Sequence, residues 1–484
     1  MSGPKINTVH PLLANKMNQI SRSRDTYSGT DAIKSKDRAE EYLPKLSGQD
    51  KGEYENYKKR AVFYGATPKT VSALTGAISR KPAEMKNTES LEDFLSDVTG
   101  TGISMEEFSK DIENEVMVSG RSIVCVDRLP EGNNKPYLVW YKNEDCINWK
   151  VEKYKDFDKR LVNIVFREVY FEANEDNPYL QEVKYKFREY RLEGDNVVVN
   201  IWSPKKSKTP FTLLEMANSK SDVEYEITEN YTLTNKGKPL GFIPCVPIVS
   251  DGAYTDIPKP PLLDMVDINL AHYRNSADLE HGLHWTALPT PWFSGVQDRS
   301  LNITLGSGNA IVLPDEGKAG FLEFTGAGLS KISEAMDKKE NLMAALGARM
   351  LANRMDQSTS AEVARINVSG EISSLAGIAK SISRGLTRVI RMVAIWEGKS
   401  NPQNMSIHLN EDYVDTKLAG GDITALVGAY QNGAMSLDSL LWNLAQGERL
   451  PLGRDIGEEV ELIEAGKEDI MSDFNKDNTD NFEE

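Results

Sequence analysis

Two long helical patterns, separated by a proline-bounded and strand-rich segment, constrain the fold of this chain more than any other feature. The first follows Pro260-Pro261, whose fixed φ suits the first turn of a helix. A helix from here to Trp285 is about 36 Å long, which exceeds what one domain core usually requires. Steps of three and four place its apolar residues on one buried face. These are Leu262, Val266, Leu270 and Tyr273.

The opposite face of this helix is charged and mostly acidic, which predicts exposure to water. Its charged residues include Asp264, Asp267, Arg274, Asp278 and Glu280. The helix ends before Leu288-Pro289-Thr290-Pro291, because two prolines so close together remove backbone donors.

The segment from Trp292 to Glu323 is strand-like, with the apolar run Ile311-Val312-Leu313 bounded by glycine and proline. From Leu329 a helical period returns and continues to about Leu351. Its apolar positions are Ile332, Met336, Leu342, Met343 and Leu346.

A polar break from Asn353 to Thr359 separates this second helix from a third. Ser360 suits the N-cap of the third helix, and Gly398 suits its C-terminal stop. The apolar stripe of the third helix comprises Val363, Ile366, Leu375, Ile378, Ile382, Leu386, Val389 and Val393.

The third helix also carries a basic stripe, at steps of four, four and three, formed by Lys380, Arg384, Arg388 and Arg391. Cations near a helix C-terminus complement the macrodipole, each by about 0.3–1 kcal/mol. A row of four on one face also suits pairing with an acidic neighbouring subunit. We favour this interface role over direct contact with DNA, which stays the alternative.

Taken in order, these elements resemble the portal proteins of tailed bacteriophages. The resemblance rests on the segments PPLLDMVDINLAHYRNSADLEHGL, NAIVLPDEGKAGFLEF and STSAEVARI, and on RAVFYGATPKTVSALTGAISRKP, which is similar to an early wing segment of that family. It extends from about Arg60 to about Ala465. The order and spacing of the elements carry it, since none of the motifs is specific alone.

The resemblance implies an α+β portal fold with a small helical crown. Its expected divisions are 1–257 for the N-terminal arm and wing, 258–286 for stem helix 1, 287–327 for the clip, 328–352 for stem helix 2, 353–359 for the channel loop, 360–415 for the long helix and wing return, and 416–484 for the crown and acidic tail.

The same resemblance assigns expected roles to individual residues. The channel loop would contain Asn353, Arg354, Met355, Asp356, Gln357, Ser358 and Thr359. The stem would line the channel with Asp264, Asp267, Arg274, Asp278, Lys331, Glu334 and Lys338. Subunit contacts would use Leu270, Leu346 and the basic stripe, and the clip would use Trp292, Phe293, Ile311, Val312 and Leu313.

A portal subunit would form a homododecameric ring at one capsid vertex, around a channel through which double-stranded DNA is packaged and ejected. Its expected partners are its own copies, that DNA, the terminase large subunit, head-tail adaptor proteins, and the major capsid and scaffolding proteins, with no membrane. It would occur in the virion, and in the host cytoplasm during assembly. The rival hypothesis is a monomeric cytoplasmic α/β enzyme of unknown activity.

Composition bounds these hypotheses. The net charge of −16 argues against a protein that grips nucleic acid over a broad surface, but it is compatible with a wall past which DNA slides. Cys125, Cys146 and Cys245 are odd in number and widely spaced, so we expect reduced thiols rather than disulfides or a zinc site. The N-terminus has no apolar signal block, so we expect the protein to stay in the cytoplasm where it is made.

Sequence signatures of enzymes do not occur: the chain has no GxxxxGK[ST], GxSxG or HExxH motif. His281 and His284 beside Glu280 could contact a metal, but without a third ligand at fixed spacing they are better explained as surface or subunit-contact residues. We therefore expect no cofactor, no metal and no catalytic residues.

Residues up to about Pro44 show no period and predict a mobile or surface-draped arm. Helical patterning from Gly52 to Ser79 precedes a second predicted helix, which is capped by Ser104 and stopped by Gly120. Short apolar runs at 123–126 and 137–140 predict a hairpin, which strands at 161–170, 183–190 and 197–202 extend into one sheet.

In VKYKFREY, residues 183–190, apolar and basic residues alternate, which predicts a strand with one basic face. We expect this face to be solvated, and contact with DNA or a partner is the alternative. Residues 241–249 (GFIPCVPIV) predict an apolar connector. Residues 406–409 predict a strand, and helices are expected around 422–430 and 436–445, without the basic recognition helix that reads DNA. The acidic residues 467–484 predict disorder.

Overall fold

The computed structural model describes residues 5–128, 135–154, 158–174, 177–205, 223–235, 237–252, 256–286, 290–295, 316–322, 326, 328–351, 374–411, 413, 420–447, 449–450 and 456–465. The predicted channel loop, the 311–313 strand, the Ser360 cap and the acidic tail lie outside these residues. The chain forms two compact units, Met1–Glu411 and Asp412–Glu484. It combines helices with antiparallel sheets, which confirms the predicted α+β class.

The N-terminal segment is folded, so the mobile alternative of the predicted arm is wrong. It contains three helices, α1 (Pro11–Ser28), α2 (Thr30–Ile33) and α3 (Ala39–Tyr42). Leu13 and Ile20 are buried, and Arg24 pairs with Glu115 at 2.7 Å and with Glu144 at 2.8 Å. A partly buried Arg with two carboxylates anchors the segment. No local period could reveal this, because the partners are 91 and 120 residues away.

Four further helices complete the N-terminal half: α4 (Lys51–Arg60), α5 (Ala66–Ile78), α6 (Glu92–Ser96) and α7 (Met105–Ser119). The predicted ends of α7 are confirmed. At the N-terminus, Ser104 Oγ accepts from the Glu107 backbone N–H at 3.2 Å, and the Glu107 carboxylate accepts from the Ser104 backbone N–H. At the C-terminus, Gly120 takes a left-handed conformation with φ 83°.

The predicted hairpin forms β2 (Arg121–Asp127) and β3 (Tyr137–Lys142). β10 (Cys245–Val249) pairs antiparallel with the other edge of β2, so the expected connector is a strand. Cys125 lies opposite Cys245 in this register, with Cα atoms 4.0 Å apart, and the two form a disulfide. The expectation of reduced thiols is therefore wrong for this pair, because strand pairing brings together residues 120 apart in sequence; Cys146 is a free, buried thiol.

A separate antiparallel sheet of six strands corrects the expectation that one sheet continues from the hairpin. In spatial order its strands are β4 (Cys146–Tyr154), β5 (Asp158–Ala173), β6 (Gln181–Glu193), β7 (Asn196–Pro204), β8 (Tyr225–Asn235) and β9 (Lys238–Pro239). The 3-10 turn Asn143–Asp145 separates β4 from β3, which lets the chain leave one sheet and begin another.

The basic row of β6 is neutralised rather than solvated. Lys184 pairs with Glu172 on β5, and Lys186 lies 3.3 Å from Glu168. Arg188 contacts Glu168 at 2.7 Å and the buried Asp127 at 3.2 Å. The predicted alternation of buried apolar and exposed polar residues also fails, since Val183 is exposed and Glu189 is buried. The neighbouring strands β5 and β7 decide which residues of β6 are covered.

The first two long helices are α8 (Leu263–Thr286) and α9 (Leu329–Leu351), and they pack against each other. The predicted stripe of α8 is buried. Much of it packs on the chain's own N-terminal half, in a cluster that includes Ile33, Tyr42, Tyr54 and Tyr57. Between the helices, β11 (Thr290–Ser294) and β12 (Lys318–Leu322) form a two-stranded hairpin.

The third long helix is described as α10 (Ser374–Glu397), and its predicted apolar residues from Leu375 to Val393 are buried. It ends at Gly398, whose φ is 71°, as predicted. Beyond the 3-10 turn Pro402–Asn404, β13 (Ser406–His408) pairs antiparallel with β1 (Glu84–Lys86).

In the second unit, α11 (Gly420–Gln431) and α12 (Leu437–Gln446) match the two predicted helices, and residues 456–465 are also helical. Ser436 caps α12 by accepting from the Ser439 N–H at 3.2 Å. None of the helices in the described parts of the chain combines the length and the apolar character that a membrane span needs.

Candidate functional site

The charged residues predicted to line a channel lie on the exposed faces of α8 and α9. On α8, three of the acids have partners within the chain. Asp264 pairs with Lys259 at 2.5 Å, Asp267 pairs with Arg22 at 3.1 Å, and Asp278 accepts from the hydroxyl of Tyr57 at 2.5 Å. Burial and this carboxylate raise the pKa of the Tyr57 hydroxyl.

Arg274 is exposed on the same helix, and Lys338 is exposed on α9. Lys331 and Glu334 form an exposed pair at 2.9 Å, one turn apart. The combined charge of these positions on α8 and α9 is therefore mixed, and most of the acids are already partly compensated inside one chain.

Leu270 and Leu346, which we expected at subunit contacts, have different surroundings. Leu270 is 3% exposed and belongs to the cluster between α8 and the N-terminal helices. Its burial is therefore complete without a neighbouring subunit. Leu346 is half-buried on α9.

A contact between a histidine of α8 and a glutamate of α9 was missed by the sequence reasoning. His272, on α8, is buried, and its Nε2 lies 3.0 Å from Glu340 Oε1 on α9. No local signal marks this contact, because the two residues are 68 positions apart. It adds one polar contact between the helices.

His281 and His284, near the end of α8, both contact Trp285. Trp285 Nε1 donates to His281 Nε2 at 3.1 Å, and burial lowers the pKa of His281, with Arg60 adding to the effect. Within the part of the chain that the structure describes, no group of three potential metal ligands comes together.

The hairpin of β11 and β12, which lies between α8 and α9 in the chain, carries large apolar side chains that remain exposed. Trp292 is 43% exposed and lies opposite Gly320, where a Cβ would be 3.0 Å from the indole Nε1. Phe293 is half-buried, and Phe321, opposite Pro291, is 59% exposed. At the nearby end of α8, Trp285 is 57% exposed.

The basic stripe lines an open groove between α10 and the strand β13, with a volume of about 310 Å³. Lys380, Arg384 and Arg388 are exposed, whereas Arg391 is half-buried and donates from Nε to the carbonyl of Met405 at 2.9 Å. Part of the stripe predicted for subunit contacts thus holds the chain's own β-strand.

Two hydroxyl groups of α10 accept hydrogen bonds from backbone amides in this strand and just after it, and sequence reasoning missed both. Thr387 Oγ1 accepts from the Ile407 N–H at 3.0 Å, and Ser383 Oγ accepts from the Leu409 N–H at 2.9 Å. Four helical residues advance about 6 Å, and two strand residues advance about 6.6 Å, so alternate strand amides match successive turns. The available signal was a Ser and a Thr four residues apart within an otherwise apolar stripe.

A family model described as a domain of unknown function (DUF4055) matches residues 261–397. This range begins just before α8 and ends at the last residue of α10. No curated protein matches the chain.

Solved structures that include gene transfer agent particles are similar to the chain, at low identity. One, "Virion of native gene transfer agent (GTA) particle", is 10% identical with TM-score 0.38, covering 82% of this chain and 92% of that chain. "Neck of empty GTA particle computed with C6 symmetry" is 10% identical with TM-score 0.38, covering 84% and 96%. "Neck of native GTA particle computed with C12 symmetry" is 11% identical with TM-score 0.37, covering 78% and 89%.

Proposed function

We propose that this chain is a phage portal subunit, which forms a ring around a channel for double-stranded DNA at one capsid vertex. The order of the described elements supports this. Two packed helices, α8 and α9, flank a small β-hairpin, and a third long helix, α10, follows them along the chain. This is the order of stem, clip, stem and long helix that the sequence resemblance implies.

The observation that carries the proposal is the exposed apolar surface on the hairpin and the adjoining helices. Trp285, Trp292 and Phe321 are about half exposed, as are Leu283 and Leu342. An isolated two-stranded hairpin is marginally stable at best in water. Its register places Trp292 and Phe321 on opposite faces, so both faces expose an aromatic side chain of the kind that is typical of interaction surfaces. The same hairpins of neighbouring copies would cover this surface in a closed ring.

In the proposed role, the chain makes and breaks no covalent bond. Tight phosphate contacts would oppose the movement of DNA, because each contact must be broken before the DNA can advance. The exposed charges of α8 and α9 and the acidic composition would instead keep the passing DNA hydrated. The ring would bind the terminase large subunit during packaging and head-tail adaptors afterwards, with capsid and scaffolding proteins around it. It would act in the virion after assembly in the host cytoplasm.

Size-exclusion chromatography with light scattering tests the proposal directly. Twelve copies of a 54.0 kDa chain have a mass of about 0.6 MDa, and negative-stain images should then show rings with a central hole. A stable monomer across micromolar concentrations would contradict the proposal and favour the rival, a monomeric enzyme.

A further inference from the structure

The groove between α10 and β13 concentrates positive charge on an acidic molecule. Lys380, Arg384, Arg388 and Arg391 line it, and Glu411 is the one acidic residue among its lining residues that the structure describes. The whole chain carries a net charge of −16. An anionic ligand is therefore attracted to this groove and repelled by most of the remaining surface.

The fold fixes the direction in which these cations point. The opposite side of α10 is buried from Leu375 to Val393, so the helix cannot rotate about its axis without exposing that face. Thr387 and Ser383 hold β13 at the second wall of the groove through backbone amides in the strand and just after it. The cations therefore lie along a rigid surface rather than on a mobile loop.

The spacing of the cations selects an extended chain. Lys380, Arg384 and Arg388 follow one another at intervals of about 6 Å along the helix axis. In an extended peptide, side chains on one face repeat every two residues, at about 6.6 Å. Carboxylates at alternate positions would therefore meet successive cations, just as alternate amides in and just after β13 meet Ser383 and Thr387.

We propose that this groove binds an extended acidic segment of another protein chain, with carboxylates at alternate positions paired to Lys380, Arg384 and Arg388. Arginine guanidinium groups suit such carboxylates because they can donate two parallel hydrogen bonds. The net charge of the chain repels a long polyanion such as a DNA duplex more strongly than a short acidic segment, so a peptide fits better than DNA. This proposal does not depend on the portal role.

Fluorescence anisotropy with the full-length chain tests the proposal. The probe is a labelled peptide of about eight residues in which Glu and Ser alternate, which spans roughly 26 Å when extended. A second peptide has the same composition with its Glu residues adjacent in one block. The alternating peptide should bind more tightly than the block peptide, and its affinity should weaken as salt rises, because exposed ion pairs are screened.

The variant R384E/R388E should lower the affinity for the alternating peptide by about tenfold or more. The matched control K51E/K59E changes the net charge equally at exposed positions on α4, and it should leave the affinity nearly unchanged. A peptide with Lys in place of Glu should bind R384E/R388E and not the wild type. R384Q/R388Q, which introduces no repulsion, should also lose affinity, and circular dichroism checks that each variant is folded.

Three results would overturn the proposal. The first is the absence of peptide binding by the full-length chain, and the second is equal loss of affinity in the groove variant and the control. The third is displacement of the peptide by duplex DNA when the concentration of DNA phosphate is lower than that of peptide carboxylate, together with loss of this DNA binding in R384E/R388E. This last outcome would assign the groove to a nucleic-acid backbone.

Discussion

Glu113 is a buried carboxyl group that changes charge near neutral pH. It lies on α7, fully buried, and Ser79 Oγ donates to its Oε2 at 2.9 Å. Burial raises the pKa of Glu113 from 4.5 to about 7, although the Ser79 hydrogen bond opposes the rise. The folded protein therefore keeps this proton over a pH range in which the unfolded chain has already released it.

This difference predicts the sign of a pH dependence. Glu113 contributes most to the free energy of unfolding below about pH 4.5, and this contribution is lost as the pH rises through about 7. The loss is about 3 kcal/mol. In Glu113→Gln, which stays neutral, the free energy of unfolding measured with urea should exceed that of the wild type at pH 8 and nearly equal it at pH 4.5.

Glu89→Gln, at an exposed position, is the control for removing one carboxylate, and its stability should follow that of the wild type at every pH. If the Glu113→Gln curve stays parallel to the wild-type curve from pH 4.5 to pH 8, then Glu113 does not hold its proton on folding, and this assignment is wrong.

At the scale of elements, two glycines of α10 have opposite surroundings. A Cβ on Gly385 would lie 2.6 Å from Ile248 Cγ1 on β10, whereas a Cβ on Gly377 would have no atom within 4 Å. The close approach of α10 to β10 therefore needs a residue without a side chain at 385 only.

We expect Gly385→Ala to lower the free energy of unfolding by about 1–3 kcal/mol, because the extra methyl group must displace Ile248 or the helix. Gly377→Ala should raise it by about 0.5–1 kcal/mol, since alanine loses less conformational entropy in a helix. Thermal and urea unfolding of the two variants measure both effects. Equal effects from the two substitutions would mean that the contact between α10 and β10 is looser than described.

At the scale of the whole molecule, the proposed ring depends on the exposed hairpin more than on the buried face of α8. We expect Trp292→Ser with Phe321→Ser to reduce ring assembly while leaving the fold of each chain intact, because both side chains are exposed within one chain. Light scattering reports assembly, and circular dichroism reports folding.

Leu270→Asp serves as the contrast, since it should unfold the chain itself by burying an unpaired charge. Tyr179→Ser, at a position that is 95% exposed outside the hairpin, is the matched surface control. Normal rings in the hairpin double variant would contradict the proposed subunit contact.

The polar segment from Asn353 to Thr359 lies outside the described residues, and its role as a channel loop stays a prediction. Arg354 is its one cation, and Gln357 can form brief hydrogen bonds to phosphates. Replacing both by alanine should preserve ring formation and lower the amount of DNA packaged or retained in an in vitro packaging assay. Wild-type amounts of DNA would show that the segment is only a connector.

The sequence by itself determined the features that depend on neighbouring residues in the chain. The cap at Ser104, the stop at Gly120, the buried stripe of α8 and that of α10 all follow from periods of a few residues and from local hydrogen bonds. The α+β class and the hairpin of β2 and β3 follow from the same signals.

Only the tertiary structure decided where distant segments meet. Arg24 pairs with Glu115 and Glu144, and Cys125 lies opposite Cys245. Arg391, which we predicted at a subunit contact, donates to the carbonyl of Met405 within the same chain. Local patterns encode which face of an element is apolar, but they do not encode which other element covers it. Ion pairs, strand neighbours and the groove beside β13 arise from that choice, which depends on packing across the whole chain.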